Sequence, residues 1–207
     1  MNIDYILSAF VTLLVVIDPV GLAAIFIGLT EGISADRRRS VGWRACLIAG
    51  AILIGTALIG DTLLRRLGIT LPAFHIAGGL LLFWIAAEMV YGTRNEHDSR
   101  TAEKVADEHV RNIAAFPLAI PMMAGPGAIA ATVLLSGLAR DSATLAVLVG
   151  IIVAVCALTM LAFLFAGRIK NVLGATGNIV LSRLLGVVLA GLAVQYVIDG
   201  VRAVIKS

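Results

Sequence analysis

Charged residues are scarce in this chain, and so are cysteine and proline. Of its 207 residues, 14% are charged and 60% are hydrophobic, and only two cysteines and five prolines occur. This composition excludes an ordinary soluble domain, which carries far more charge. The net charge of +3 does not indicate nucleic-acid binding, because the basic residues lie between apolar runs. The composition therefore predicts an integral membrane protein.

Catalytic and energy-coupling motifs are also missing. The chain has no glycine-rich phosphate loop of the Walker type, so an ATP-driven pump is not supported. The apolar runs hold no nucleophile or metal cluster, so we expect neither an enzyme nor a cofactor. Cys46 and Cys156 fall within apolar runs and are predicted to be buried free thiols. Residues near Met1 include no basic region and no small-residue cleavage site, which predicts an uncleaved first span.

Six apolar runs are long enough to cross a bilayer, which takes about 20 residues. They cover residues 5–29, 41–64, 71–91, 113–138, 144–166 and 183–204. One long polar segment, residues 92–112, separates the third run from the fourth. It is predicted to be a solvated linker with a short frayed helix, and a metal site at His97, His109 and the nearby acids is the alternative. The predicted fold is an all-α polytopic membrane protein with six transmembrane helices.

The chain also repeats itself. Asp18 to Gly21 aligns with Gly125 to Ala128 at an offset of 107, and residues 78–92 align with residues 186–200 at an offset of 108. We infer a single transmembrane domain with a first repeat at 1–92, a cytoplasmic linker at 93–112 and a second repeat at 113–207. Three spans in each repeat place the second repeat in the opposite orientation, as in many secondary transporters.

Proline breaks the first span of each repeat. Pro19 interrupts one apolar run, and Pro117, Pro121 and Pro126 interrupt the other. A proline inside a helix removes a hydrogen bond and clashes with the preceding turn. Because lipid cannot satisfy the freed carbonyls, each break must face protein or a wet cavity. The first and fourth helices are therefore predicted to be broken at mid-membrane.

The two breaks predict a binding site for a zwitterion. Asp18 precedes Pro19 as an N-cap precedes the first helical residue, and it is the one charged residue placed near mid-bilayer. The Gly125-Pro126 break has the same layout with no capping side chain, so the amides of Gly127 and Ala128 are free to hold an anion. An ammonium group would face Asp18, and a carboxylate would face those amides. The predicted substrate-binding residues are Asp18, Pro19, Gly21, Gly125, Pro126, Gly127 and Ala128.

Asp18 has two further interpretations. It is also the candidate site for a coupling ion, H+ or Na+, and the sequence does not choose between these ions. Alternatively, Asp18 serves only as the cap of its half-helix, a role that is compatible with binding.

Smaller polar and small-residue signals point mainly to helix packing. Gly78, Gly79, Gly186 and Gly191 are predicted to let helices approach closely rather than to contact a ligand. Thr12 is predicted to face a cavity or to join two helices by a polar contact, and His75 is predicted to lie at the membrane interface.

Lysine and arginine predict the orientation. With the N-terminus outside, eleven basic residues face the cytoplasm and five face the other side. The same count results if both broken runs are re-entrant hairpins, so charge does not separate the two topologies. We expect full spans, because about 25 residues is too long for a half-membrane hairpin.

Several motifs resemble a known family. They are FPLAIPMMAGPGAI at 116–129, DPVG at 18–21, IAGG at 76–79, and LSRLLG at 181–186 followed by GLAVQYVIDG. They are similar to those of the MarC family, which includes the SnatA-like small neutral amino-acid transporters and is grouped with the LysE-type exporters. The resemblance spans essentially the whole chain and implies a six-span bacterial inner-membrane protein that moves small neutral amino acids. Similar proteins often continue the first break as DPxGNxP, whereas Leu22 and Ala24 stand here.

Three functions remain open at this point. The first is an ion-coupled secondary transporter of small neutral amino acids or similar zwitterions across the bacterial inner membrane. The second is an exporter or channel for another small molecule, and the third is a membrane protein with a non-transport role. The expected partners are the lipid bilayer and a small-molecule substrate.

Overall fold

A computed structural model describes residues 3–93, 113–139 and 141–206, and the regular structure in these ranges is entirely helical. Its elements are α1 (Ile3–Ile17), α2 (Pro19–Leu29), α3 (Ala35–Arg66), α4 (Leu71–Tyr91), α5 (Ala114–Met123), α6 (Pro126–Leu138), α7 (Ser142–Leu164) and α8 (Ala166–Lys206). Most of the predicted linker lies outside the described residues, and so do His97 and His109.

The helices are long and apolar enough for a polytopic membrane protein. Five stretches of the described residues qualify as membrane spans, and the first of them is α1 with α2, taken together as Ile3–Leu29. The bent pair α5 and α6 makes a sixth if it crosses as one span. The all-α polytopic class is confirmed.

Two helices extend beyond the predicted spans. The α3 helix begins at Ala35, before three consecutive arginines, although the apolar run begins at residue 41. The α8 helix begins at Ala166 and is interrupted at Gly174, which has φ 62° and ψ −175°. Arginine and lysine are good helix formers. A helix therefore continues through charged residues outside the lipid, whereas the apolar run marks only the part within it.

Local capping fixes several helix starts. The side chain of Thr70 accepts a hydrogen bond from the Ala73 amide at 3.3 Å at the start of α4. At the start of α7, Asp141 accepts from the Thr144 amide at 2.7 Å. This amide, followed by the Thr144 hydroxyl, holds the pKa of Asp141 below its ordinary value. Both helices thus begin at capped positions in the short connections between spans.

Glycines allow α4 and α8 to pack closely and antiparallel. A Cβ atom on Gly79 would lie 2.8 Å from the Ala193 carbonyl oxygen, and one on Gly186 would lie 2.8 Å from the Met89 Cβ. Further along, a Cβ atom on Gly200 would lie 2.8 Å from the Pro72 carbonyl oxygen. The predicted packing role is confirmed for Gly79 and Gly186 and is wrong for Gly191, where no atom lies within 4 Å of a Cβ atom. These contacts run in opposite directions along the two helices, as an inverted repeat requires, and the repeat itself stays a prediction.

The helices α3 and α7 pack in the same antiparallel manner. A Cβ atom on Gly42 would lie 3.3 Å from the Phe163 ring, and one on Gly50 would lie 3.6 Å from the Cys156 Sγ. Cys46 and Cys156 are buried and free, as predicted. The core therefore includes the two antiparallel contacts of α3 with α7 and of α4 with α8.

Candidate functional site

Asp18 interrupts the first span for a single residue. Its backbone lies in the left-handed region, with φ 50° and ψ 69°. The Asp18 amide donates to the Leu14 carbonyl at 3.0 Å as the last bond of α1, and the Leu22 amide donates to the Asp18 carbonyl at 3.0 Å as the first bond of α2. The first span is therefore interrupted at one residue, as predicted, with α1 ending at Ile17 and α2 beginning at Pro19.

The side chain of Asp18 caps the second part of this span. Its Oδ1 accepts a hydrogen bond from the Gly21 amide at 3.0 Å, so the predicted N-cap role is confirmed. A Cβ atom on Gly21 would collide with the Asp18 carboxyl group. The residues of the sequence DPVG thus depend on one another. Pro19 occupies the first turn of α2, and only glycine at position 21 leaves room for the Asp18 carboxyl group.

The second carboxyl oxygen of Asp18 is held by a distant helix. Ser182 of α8 donates a hydrogen bond from its Oγ to Asp18 Oδ2 at 3.1 Å. Asp18 is 5% exposed and Ser182 is 2% exposed. Each carboxyl oxygen has two lone pairs, so the group retains acceptor capacity for a further donor such as an ammonium group or a water molecule.

The second interruption is larger and leaves the following helix uncapped. The axes of α5 and α6 are bent by 56°. Within α5, Phe116 and Ile120 have extended backbone, with φ −136° and −128°. Each precedes a proline, which disfavours the helical region for the preceding residue. A bend of 56° does not turn the chain back, which favours a broken span over a re-entrant hairpin.

The start of α6 is tightly packed at two glycines. A Cβ atom on Gly125 would collide with the Pro121 carbonyl oxygen, and one on Gly127 would collide with the Ile85 side chain. Gly125 is the N-cap residue and makes no side-chain cap. The first amides of a helix have no intrahelical partner. The amides of Gly127 and Ala128 are therefore placed at an uncapped helix start inside the protein, where the helix dipole favours an anion.

The first span contacts the start of α6 next to its own interruption. The Val16 Cγ1, two residues before Asp18, is 3.5 Å from the position of a Cβ atom on Gly127. The structure thus groups Asp18, Pro19 and Gly21 at one break and residues 125–128 at the other. Whether one substrate contacts both groups stays a prediction.

Polar side chains join α1 to its neighbours near the N-terminus. The Tyr196 hydroxyl of α8 lies 3.4 Å from Ser8 Oγ and 3.3 Å from Thr12 Oγ1. The Tyr5 hydroxyl donates to the Leu135 carbonyl of α6 at 3.0 Å. His75 is predicted from the sequence to lie at the membrane interface. Its side chain is instead buried against Tyr196, with the two ring centroids 6.4 Å apart. These contacts hold α1, α4, α6 and α8 together at one end of the molecule.

Sequence reasoning missed Ser182 and Tyr196. Ser182 is 164 residues from Asp18 in the sequence. The residue aligned with it in the predicted first repeat is Phe74, which is not polar, so the repeat does not indicate a site at Ser182. Both residues do lie in the LSRLLG and GLAVQYVIDG segments that carry the family resemblance. Within the described residues, no three of His, Cys, Asp or Glu lie close enough to hold a metal ion.

Comparison with known proteins identifies one family. A family model described as "MarC family integral membrane protein" matches residues 3–205. The chain is 37% identical to a "UPF0056 membrane protein" of Archaeoglobus fulgidus, over 96% of this chain and 92% of that protein. It is 34% identical to YvbG of Bacillus subtilis, over 98% of this chain and 96% of the relative. It is 32% identical to the "UPF0056 inner membrane protein MarC" of Salmonella typhimurium, over 95% and 94% of the two chains. No solved structure matches it significantly.

Proposed function

We propose that this chain, which belongs to the MarC family of integral membrane proteins, is an ion-coupled secondary transporter of small neutral amino acids or similar zwitterions. One observation carries the proposal. A buried carboxyl group at Asp18 and an uncapped helix start at Gly127 lie in neighbouring spans, and Val16, two residues before Asp18, contacts the Gly127 position. An acid beside free amides offers complementary partners for the ammonium and carboxylate groups of one small molecule.

The cationic part of the substrate would bind at Asp18. The carboxyl group is anchored by Gly21 and Ser182 in a fixed orientation, so little rotamer entropy remains to be lost on binding. An ionisable group buried in a membrane span is by default a functional hypothesis. Asp18 also serves as the proposed coupling site, where H+ or Na+ neutralises the carboxylate.

The anionic part of the substrate would bind at the start of α6. The helix dipole places partial positive charge at the amides of Gly127 and Ala128. Ala128 is 3% exposed, so a carboxylate there would be shielded from water, which strengthens the interaction. Pro126 in the first turn keeps the backbone from continuing the helix from α5.

The closed contacts near the N-terminus fit a carrier. The hydrogen bonds of Tyr196 to Ser8 and Thr12, together with that of Tyr5 to Leu135, would seal one side of the site. Alternating access requires that such contacts break when the opposite side closes. In the predicted orientation, the sealed side faces away from the cytoplasm.

The proposal also covers the membrane in which the protein resides and its lack of enzymatic activity. We place the protein in the bacterial inner membrane, by analogy with the Salmonella relative that is named an inner membrane protein. We assign it no enzymatic activity and no cofactor, and we expect its soluble partners to be the substrate and the coupling ion.

Transport by purified protein tests the proposal. Proteoliposomes holding an imposed proton or sodium gradient would be compared with protein-free liposomes for uptake of labelled glycine, alanine and serine. We expect uptake above the protein-free level, and counterflow against an unlabelled internal amino acid, which a carrier produces and a channel does not. Absence of uptake across a wider amino-acid panel, in both orientations, would contradict the proposal.

A further inference from the structure

An apolar groove opens on the lipid-facing side of α3 and α7. Its volume is about 340 Å³. Trp43, Leu47 and Ile54 of α3 form one wall, and Val153 and Met160 of α7 form the other. Trp43, Leu47 and Val153 are each more than half exposed. In a membrane, such a surface is covered by lipid or by another protein.

Small residues produce the groove. Gly50 and Ala51 form the floor on α3, and Cys156 and Ala157 form it on α7. Because these side chains are short, the larger side chains on either side stand above them. The result is a narrow apolar channel along the helix axes, a shape that suits a single acyl chain.

The groove ends beside positive charge. Arg39 precedes Trp43 by four residues, so it lies one helical turn further along the same face of α3. Since α3 and α7 are antiparallel, the end of α7 at Leu164 reaches this level, and α8 begins directly after it. The guanidinium of Arg168, in the first turn of α8, lies 5.5 Å from the Phe165 ring centroid. Arg39 and Arg168 are exposed and form no ion pair among the described residues. Arg38 differs, because it donates to the Thr30 carbonyl at 3.1 Å.

We propose that this groove binds one anionic phospholipid. An acyl chain lies between Trp43 and Val153, and the headgroup phosphate binds the guanidinium groups of Arg39 and Arg168. Guanidinium is well suited to phosphate because it donates two parallel hydrogen bonds. A zwitterionic lipid offers the same phosphate, but its ammonium group is repelled by the two arginines.

A second copy of the chain is the competing occupant, and the charges disfavour it. A symmetric dimer about an axis along the membrane normal brings the same surface of each chain into contact. Each Arg39 would then approach the Arg39 of the other copy at the same depth. Like charges placed together at an interface are unfavourable.

The two tryptophans allow a direct test. Trp84→Phe leaves only Trp43 in the groove, and Trp43→Phe leaves only Trp84, which is 68% exposed on α4. Trp43 lies eight residues after the start of α3 and Trp84 seven residues before the end of α4. In the predicted orientation both lie at similar depth on the cytoplasmic side. Each single-tryptophan protein is reconstituted in phosphatidylcholine with a fixed fraction of brominated lipid, supplied as phosphatidylglycerol or as phosphatidylcholine.

Selective quenching of Trp43 is the expected result. Each arginine near an anionic surface contributes about 1 kcal/mol, so each guanidinium should favour phosphatidylglycerol roughly five-fold. Trp43 should therefore be quenched at a lower fraction of brominated phosphatidylglycerol than of brominated phosphatidylcholine. Trp84 should show no preference for phosphatidylglycerol, because its Nε1 donates to the Glu88 carboxylate at 2.9 Å.

Arginine variants identify the headgroup site. Arg39→Gln and Arg168→Gln, each added to Trp84→Phe, should reduce the lipid preference at Trp43 roughly five-fold. Arg202→Gln, at the other end of α8, is the matched control and should leave the preference unchanged. These variants change exposed side chains, so the fold should be retained.

Two outcomes would overturn the proposal. Equal quenching of Trp43 by the two brominated lipids would show a groove that holds lipid without headgroup selection. Absence of quenching by either lipid would show that protein covers the groove, and a second copy would then be its occupant.

Discussion

At Asp18 the chain leaves helical geometry for one residue, whereas around Gly125 it bends by 56° between two helices. The first break supplies its own anion, since the Asp18 carboxyl group accepts from the Gly21 amide at 3.0 Å. The second has glycine in the capping position and no side-chain cap. The two breaks, which align at the predicted repeat offset, therefore present opposite chemistry. At the start of α2 the Gly21 amide is bonded to the Asp18 side chain. At the start of α6 no side chain caps the amides, which can therefore donate to a bound anion.

The largest expected effect comes from closing the uncapped helix start. Gly127→Val places a branched side chain against Ile85, which a Cβ atom alone would already meet. We expect loss of uptake, and destabilisation of about 1–3 kcal/mol from overpacking. The measurements are amino-acid uptake in proteoliposomes and thermal unfolding in detergent. Gly191→Val is the matched control, because no atom lies within 4 Å of a Cβ atom there. A Gly127→Val protein that transports normally would place the anion site elsewhere.

Restoring a continuous helix at the second break should also abolish substrate binding. Pro126→Ala restores an amide hydrogen and removes the ring that prevents a continuous helix. We expect the protein to insert normally but to lose affinity for labelled substrate in a direct binding assay. Pro72→Ala is the control, since Pro72 lies at the start of α4 beside a side-chain cap. Wild-type affinity in Pro126→Ala would separate the bend from substrate recognition.

A smaller effect is expected at the capped break. Ser182→Ala removes the hydroxyl that donates to Asp18 Oδ2 at 3.1 Å, while the Gly21 contact remains. Hydrogen bonds between membrane helices contribute about 0.6–2 kcal/mol. We therefore expect substrate affinity to fall several-fold, as measured by binding. The control is Ser136→Ala, because the Ser136 hydroxyl donates only to the Val133 carbonyl of its own helix. Equal affinities of the two variants would make Ser182 a packing residue.

The sequence predicts the spans, the positions of both interruptions and the cap at Asp18. Apolar length predicts the spans, and the proline positions predict both interruptions, because these effects are local to the backbone. The N-cap at Asp18 follows from the order Asp18, Pro19 and Gly21. The size of each interruption does not follow from those signals. The first interruption is confined to Asp18, whereas the second bends the chain by 56°, and this difference depends on packing against the neighbouring helices.

Contacts between distant segments were not predictable in the same way. Ser182 meets Asp18 only because α8 packs beside α2, and no spacing in the sequence encodes that distance. The burial of His75 has the same origin. Its position just after Pro72 predicts a place near the membrane surface, but packing against Tyr196 and Gly200 turns the side chain inward. Tertiary packing thus decides these side-chain environments.

The most direct measurement concerns the charge at the capped break. Asp18→Asn keeps the size of the side chain and a carbonyl oxygen that can still accept from Gly21, so the fold should be retained. Wild type and variant would be compared in proteoliposomes for uptake of glycine, alanine and serine, with an imposed proton or sodium gradient. We expect accumulation against a gradient by the wild type and only downhill exchange by the variant. Equal accumulation by both proteins would rule out a coupling role for Asp18 and leave it as a helix cap alone.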